Sequence, residues 1–398
     1  MEAKVSDAQD PPAEEGLVGE ESEPETEAPD AAGSSSKDES PEEAAAAPPA
    51  SSESSPVDQR TRTVVAIGDL HGDYFRLRRL LIENDILLPD TDAWNPEADR
   101  VDLILIGDYV DWRKETLEGP REEWVAGARR ILELLFSLHN DVERLQASDS
   151  GFDSRVYALL GNHDDMMLEA HRVFKFLEYE QMESFLSSVG SQAHVKRAIH
   201  EMGLSPANVE RLLKFLNWYV QGGEATIDGF EGLNHWKSAM DGDLGDFLRD
   251  HLRLGVVVNQ RLYAHTAPDH REFWRPLEEI VDLPESAYRQ AKEAFLWSRR
   301  VWGYDYYTGT RTAPFTDEEL DEMLRGIGVT GLVVGHTPLT REGRPVVAYD
   351  GRVVNIDLHG FPDSAALVEE YVPAEPGNRA PRRIGDSQAD EAADSAET

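Results

Sequence analysis

The chain has 398 residues, with 77 acidic against 39 basic side chains, a net charge of −38 and no cysteine. This balance excludes a nucleic-acid binder that works through a basic surface. The missing thiols exclude disulfides, thiolate catalysis and Cys-ligated zinc or iron–sulfur sites.

In chain order, residues 1–60 come first, with 17 acidic and 3 basic side chains, no aromatics and Ala, Ser and Pro clusters. Such a segment cannot bury enough apolar surface to offset its chain entropy, so it is expected to be a disordered acidic tail. Its start, MEAKVSDAQD, has neither the basic nor the apolar region of a secretory signal. No apolar run approaches the roughly 18–20 residues of a membrane-spanning helix. A cytoplasmic location without membrane association is the expectation.

Residues 61–372 are expected to form one α/β domain. Short runs rich in β-branched residues predict strands at 63–67, 101–106, 155–160, 255–264, 331–334, 346–349, 353–356 and 365–371. The first is followed by Gly68-Asp69-Leu70-His71-Gly72-Asp73 and the second by Gly107-Asp108-Tyr109-Val110-Asp111. The third leads into Gly161-Asn162-His163-Asp164. Between Asp164 and His265 the pattern predicts helices at 166–188, 191–202, 206–219 and part of 235–254. This insertion, about 166–254, reads as a helical cap over the site or as a packing layer. The fourth strand ends in Ala264-His265-Thr266-Ala267-Pro268, and the fifth in Gly335-His336-Thr337-Pro338. Between them lies WSRRVWGYDYY at 297–307, dense in aromatics and arginine. A helix over 317–327 is marked by a Thr316-x-x-Glu319 capping box and closed by Gly326 and Gly328. Asp357-Leu358-His359-Gly360 superficially repeats the first motif and is assigned a structural role. From 373 to 398 the chain again reads as a disordered tail.

Taken singly, each motif is an ordinary turn after a strand. Together they place Asp, His, Asp, Asn, His and His at strand ends, where α/β sheets assemble their sites. The glycines are expected to let the backbone turn sharply. These oxygen and imidazole donors suit manganese, iron or zinc rather than soft metals, and a carboxylate can bridge two ions.

The five ordered motifs resemble those of the calcineurin-like metallophosphoesterases. They look most like the phosphoprotein phosphatase branch and its bacterial relatives, which include diadenosine tetraphosphate hydrolases. The segments 218–226, Leu296-Trp297-Ser298-Arg299 and Val354-Asn355-Ile356-Asp357 extend the resemblance over 61–372. It implies a four-layer α/β fold, with two stacked mixed sheets flanked by helices, and two divalent cations, manganese first and iron or zinc as alternatives. It implies Asp69, His71 and Asp108 at one cation, and Asp108, Asn162, His265 and His336 at the other. His163 would be the general acid, oriented by Asp111, and Arg299 would contact the phosphoryl group. Asp164 would support rather than ligate.

Two departures stand out. The family continues its second motif as Asp-Arg-Gly, whereas here the order is Asp111-Trp112-Arg113. Either Arg113 takes over part of the phosphate contact, or Trp112 walls the pocket for a ring-bearing substrate, or Trp112 merely packs. The fifth motif ends in Pro338 rather than a second His, which favours the phosphoprotein phosphatase-like branch. The expected reaction is in-line hydrolysis of phosphomonoesters, on Ser/Thr phosphoproteins or small molecules, by a hydroxide shared between the ions. The alternative is a dinucleoside polyphosphate hydrolase, with 297–307 stacking on a base while Arg299 and Arg300 bind phosphate. A metal-binding scaffold that has lost catalysis is a third reading. The partner is a phosphorylated substrate, with no stable nucleic-acid binding.

Overall fold

A computed structural model describes residues 60–111, 125–174, 182, 186, 204–305 and 310–373. Residues 1–59 and 374–398 of the expected tails, most of 175–188 in the helix expected at 166–188, the helix expected at 191–202, and Trp112 and Arg113 lie outside the described residues.

Among the described residues, nine strands form two mixed sheets. The first has the order β3-β2-β1-β9, from β1 (Arg62–Ile67), β2 (Val101–Leu105), β3 (Arg155–Ala158) and β9 (Leu367–Tyr371). Strands β1, β2 and β3 run parallel, and β9 pairs antiparallel to β1. The second sheet has the order β4-β5-β6-β8-β7, from β4 (Gly255–Val258), β5 (Arg261–Ala264), β6 (Gly331–Val334), β7 (Val346–Ala348) and β8 (Val353–Asn355). Its three central strands are parallel and its two edges antiparallel.

The period-2 alternation of side chains explains why the central strands are largely apolar on both faces. Val64, Ala66, Ile104 and Ile106 of one sheet share a buried cluster with Val256, Tyr263, Val333 and Val354 of the other. The alternate residues Val65, Ile67, Leu103, Leu105, Leu332 and Val334 face a second core built largely from helices. The sheets therefore pack face to face, with helices covering their outer faces. Those helices include α1 (Tyr74–Glu83), α2 (Gly127–Ser148), α3 (Asn162–Phe174), α4 (Pro206–Trp218), α5 (Glu224–Gly229), α6 (Leu233–Met240) and α7 (Asp243–His251). They continue with α8 (Leu277–Val281), α9 (Glu285–Trp297) and α10 (Asp317–Ile327). The capping box at Thr316 and Glu319 forms as expected, and Gly328 closes α10 in the left-handed region at φ 85°.

The single strand expected over 255–264 is in fact a hairpin. Asn259 (φ 49°) and Gln260 (φ 58°) both adopt left-handed backbone, and Val258 pairs with Arg261. Two successive positive φ values are the signature of a tight two-residue hairpin turn. The uninterrupted apolar pattern on either side hid the reversal. Among the described residues, no helix is long and apolar enough to cross a membrane.

Candidate metal centre

All five motifs converge at the C-terminal ends of parallel strands, from both sheets. Asp69 and His71 follow β1, Asp108 and Asp111 follow β2, and Asn162 and His163 open α3. From the second sheet, His265 follows β5 and His336 follows β6. All eight are buried.

The glycines before these residues divide between turning and close approach. Only Gly107 among them has a positive φ, at 102°. The others serve close approach. A Cβ on Gly68 would lie 1.9 Å from the Ile356 carbonyl oxygen, and one on Gly335 would lie 2.0 Å from Asp69 Oδ1. Left-handed backbone also falls on four of the clustered residues, His71 (φ 44°), Asp108 (φ 52°), Asp111 (φ 65°) and His336 (φ 65°), among others elsewhere in the fold. Such conformations cost energy for residues with a Cβ, and they concentrate where a side chain must be aimed.

Two groups of side chains could each hold a cation. In His71, Asp108 and His163, and in Asp108, His265 and His336, the ligand atoms lie within 4.8 Å of one another. Asp108 belongs to both. Its Oδ2 is 3.5 Å from His71 Nε2, and its Oδ1 is 3.6 Å from His265 Nε2. Asn162 Oδ1 lies 2.9 Å from His265 Nε2 and 3.0 Å from His336 Nδ1, so amide and imidazoles point at a common locus. Asp69 belongs to neither group. Its carboxylate accepts the His336 backbone N–H, at 2.9 and 3.2 Å, and so joins the ends of β1 and β6. The donors fit a pair of divalent cations: oxygen and nitrogen only, buried, and sharing one carboxylate.

The electrostatics agree with that fit. Burial alone would raise the Asp108 carboxyl, but His265, His163, His71 and His336 around it hold it well below the usual carboxylate range. Burial, followed by the neighbouring Asp357 and Asp108 charges, raises Asp69. His265 is lowered by burial, and His336 by burial and then by His265 and Arg299. Imidazoles so lowered stay neutral at neutral pH, the form that binds a metal. Asp164 belongs to neither group. It accepts the backbone N–H groups of Asp108 (2.7 Å), Tyr109 (3.0 Å) and Gly161 (3.0 Å), pinning the loops after β2 and β3.

His163 and Asp111 form a dyad, with Nδ1 2.9 Å from Oδ2. Asp111 Oδ1 accepts from Trp218 Nε1 at 3.0 Å and Thr226 Oγ1 at 2.7 Å. Thr226 Oγ1 in turn accepts the Asp111 N–H at 3.0 Å. The chain between these two residues passes through a stretch of π-helix, Tyr219–Gly223, where Gly222 has φ 125°. A Cβ there would lie 2.8 Å from Asp111 Cβ. Trp218 and Thr226 were legible only as part of a recurring segment, not as partners of Asp111.

Arg299 follows α9 and donates from Nε to His336 Nε2 at 3.2 Å, which places it at the cluster. Trp297 meets the His336 ring edge-on, with centroids 6.0 Å apart. Arg300 does not join them, contrary to expectation. It donates to Glu319 at 2.7 Å and to the Asp269 carbonyl at 3.4 Å, and stands 4.9 Å over the Phe315 ring. The sequence signal missed here is the capping Glu319, which serves α10 and Arg300 together. Arg113, the other arginine expected to bind phosphate, is outside the described residues.

A protein-family model described as calcineurin-like phosphoesterase matches residues 62–340. No curated protein matches the chain significantly. Among solved structures, a cold-active protein-tyrosine phosphatase from a psychrophilic Shewanella species is 18% identical, with a TM-score of 0.44 and coverage of 77% of this chain and 75% of that one. A protein serine/threonine phosphatase from Saccharomyces cerevisiae is 12% identical, with a TM-score of 0.32 and coverage of 80% and 82%. A metallophosphoesterase from Sphaerobacter thermophilus is 14% identical, with a TM-score of 0.27 and coverage of 74% and 76%. The family match spans the five motifs and both sheets up to β6. The chain therefore belongs to the calcineurin-like phosphoesterase family, and is a metal-dependent hydrolase acting on phosphoester bonds.

Proposed function

We propose that the centre hydrolyses phosphomonoesters, on phosphoproteins or small molecules, with a pair of divalent cations, manganese first. Asp69, His71 and Asp108 would hold one cation, and Asp108, Asn162, His265 and His336 the other. The observation that carries this reading is Asp108, whose two oxygens face imidazoles from opposite sheets. When bound, such a pair supplies Lewis acidity that activates water and neutralises phosphoryl charge. We assign the chain to the phosphoprotein phosphatase-like branch, on the Pro338 that ends the fifth motif.

The protein's own groups do the rest. Asp111, fixed by Trp218 and Thr226, accepts from His163 Nδ1 and stabilises the imidazolium. His163 Nε2 then carries the proton that the leaving alkoxide takes. The His163 backbone N–H donates to Asp108 Oδ1 at 3.0 Å, which locks the acid in register with the shared carboxylate. Arg299, beside His336, holds the phosphoryl oxygens. Arg300 pairs with Glu319, so a phosphate contact there, which the dinucleotide alternative needs, would have to displace that pair.

The test is a substrate panel on the manganese-loaded full chain: p-nitrophenyl phosphate, phosphopeptides and diadenosine tetraphosphate. The monoesters should turn over fastest, and a clear preference for the dinucleotide would select the alternative. His163→Asn should retain metal and lose about 100-fold or more in kcat. Turnover within about threefold of wild type would remove His163 from the acid role.

A further inference from the structure

Beside the cluster lies a group that the proposed ligand set does not use. The chain leaves β8 through Ile356 into Asp357-Leu358-His359, and Asp357 is 1% exposed. Its backbone N–H donates to Asn355 Oδ1 at 2.8 Å. Asn355 Nδ2 donates in turn to the carbonyls of Thr337 (3.0 Å) and Gly335 (3.4 Å), on either side of His336. One buried amide therefore sets the end of β8 against the end of β6. On the other side, the Gly68 that precedes Asp69 lies against the Ile356 carbonyl with no room for a Cβ. Asp357 is thus wedged between the strand ends that present Asp69 and His336.

Its two carboxylate oxygens are treated differently. Oδ1 is 2.5 Å from His359 Nδ1. Oδ2 is buried and has no hydrogen-bond partner. After burial, the Asp357 charge is the main cause that raises the Asp69 carboxyl. Arg76 is a buried cation whose charge interacts with both Asp357 and Asp69. It donates to the Asp69 carbonyl and to Ser364 Oγ, both at 2.9 Å, and to neither carboxylate. His359 stacks edge-on to His71, with centroids 4.9 Å apart. A buried carboxylate oxygen without a donor, whose charge is felt at the Asp69 carboxylate, needs a positive charge.

We infer that Asp357 is a further carboxylate arm at the first cation position, beside Asp69, His71 and Asp108, and that His359 holds it in place. This rests on the two-cation reading above. It makes the two positions chemically unequal. The first is rich in carboxylate oxygen, which suits a hard ion such as manganese or magnesium. The second, with two imidazoles and a neutral amide, suits zinc or iron better.

The test is calorimetric titration of the metal-free full chain with Mn²⁺. Wild type should take up two ions. Asp357→Asn, which keeps shape and removes charge, should weaken one site about tenfold or more and leave the other within about twofold. His359→Gly should weaken the same site by a smaller factor, and it decides the matter if Asp357→Asn fails to fold by circular dichroism. Asp108→Asn is the reference: it should weaken both sites. If Asp108→Asn weakens both while Asp357→Asn and His359→Gly change neither, the inference is overturned and the two-cation reading stands. If Asp108→Asn leaves both sites intact, the two-cation reading itself fails.

Discussion

Asp111 shows how much of this site depends on residues that do not touch substrate. Three side-chain contacts and a left-handed backbone fix one carboxylate. Burial raises its carboxyl, and the hydrogen bonds from His163, Thr226 and Trp218 counter that. Losing one donor should let the carboxylate swing, and His163 with it. Trp218→Phe and Thr226→Val are each expected to lower kcat about tenfold, with metal content and KM little changed. Unchanged kcat in both would mean that His163 needs no such support. The ligand types were legible because each motif puts its chemistry within a few residues of a strand end. The partners of Asp111 were not, because Trp218 and Thr226 lie more than a hundred residues along the chain. The pairing of Arg300 with Glu319 was not legible for a related reason. It opens a short 3-10 turn, which sends it toward α10 while Arg299 faces the histidines.

At the scale of elements, β2 hides a polar feature inside an apolar run. Asp102 is fully buried and takes a two-pronged contact from Arg62 of β1, at 2.9 and 2.8 Å. Tyr371 of β9 donates to the same carboxylate at 2.7 Å. Three adjacent strands are thus keyed by one ion pair, which fixes their register. Replacing only one member leaves a buried charge without its partner. Asp102→Ala is expected to cost about 3 kcal/mol in urea denaturation, and a loss below about 1 kcal/mol would show that Asp153, which also pairs with Arg62, suffices. The hydrophobic pattern revealed the strands but neither this key nor the Asn259–Gln260 reversal, since neither changes the apolar count. The described part of the helical insertion supplies Trp218 and Thr226, so it buttresses the site as well as adding to the core.

For the whole molecule, charge is the dominant fact. Residues 1–60 carry −14 and residues 373–398 carry −3, which leaves −21 on the region between them. An enzyme of that sign repels the anion it acts on until the local field of the site takes over. Added salt should therefore help at first. kcat/KM for p-nitrophenyl phosphate is expected to rise about twofold between roughly 10 and 150 mM monovalent salt, with kcat unchanged. A steady fall over that range would indicate instead that a local positive patch steers the substrate. Composition announced this acidity at once, and it leaves the cations and Arg299 to reverse it over a few ångströms.

The close approaches at Gly68 and Gly335 bear on how the protein reaches this state. Each glycine meets a segment from the far end of the folded region: Gly68 meets Ile356, and Gly335 meets Asp69. No local piece of chain can form the cluster, because its walls come from opposite ends of the sequence. Contacts of such long range form late and make folding slow. The binding centre should thus be among the last parts to assemble, and a half-folded chain should carry all the ligands and no site.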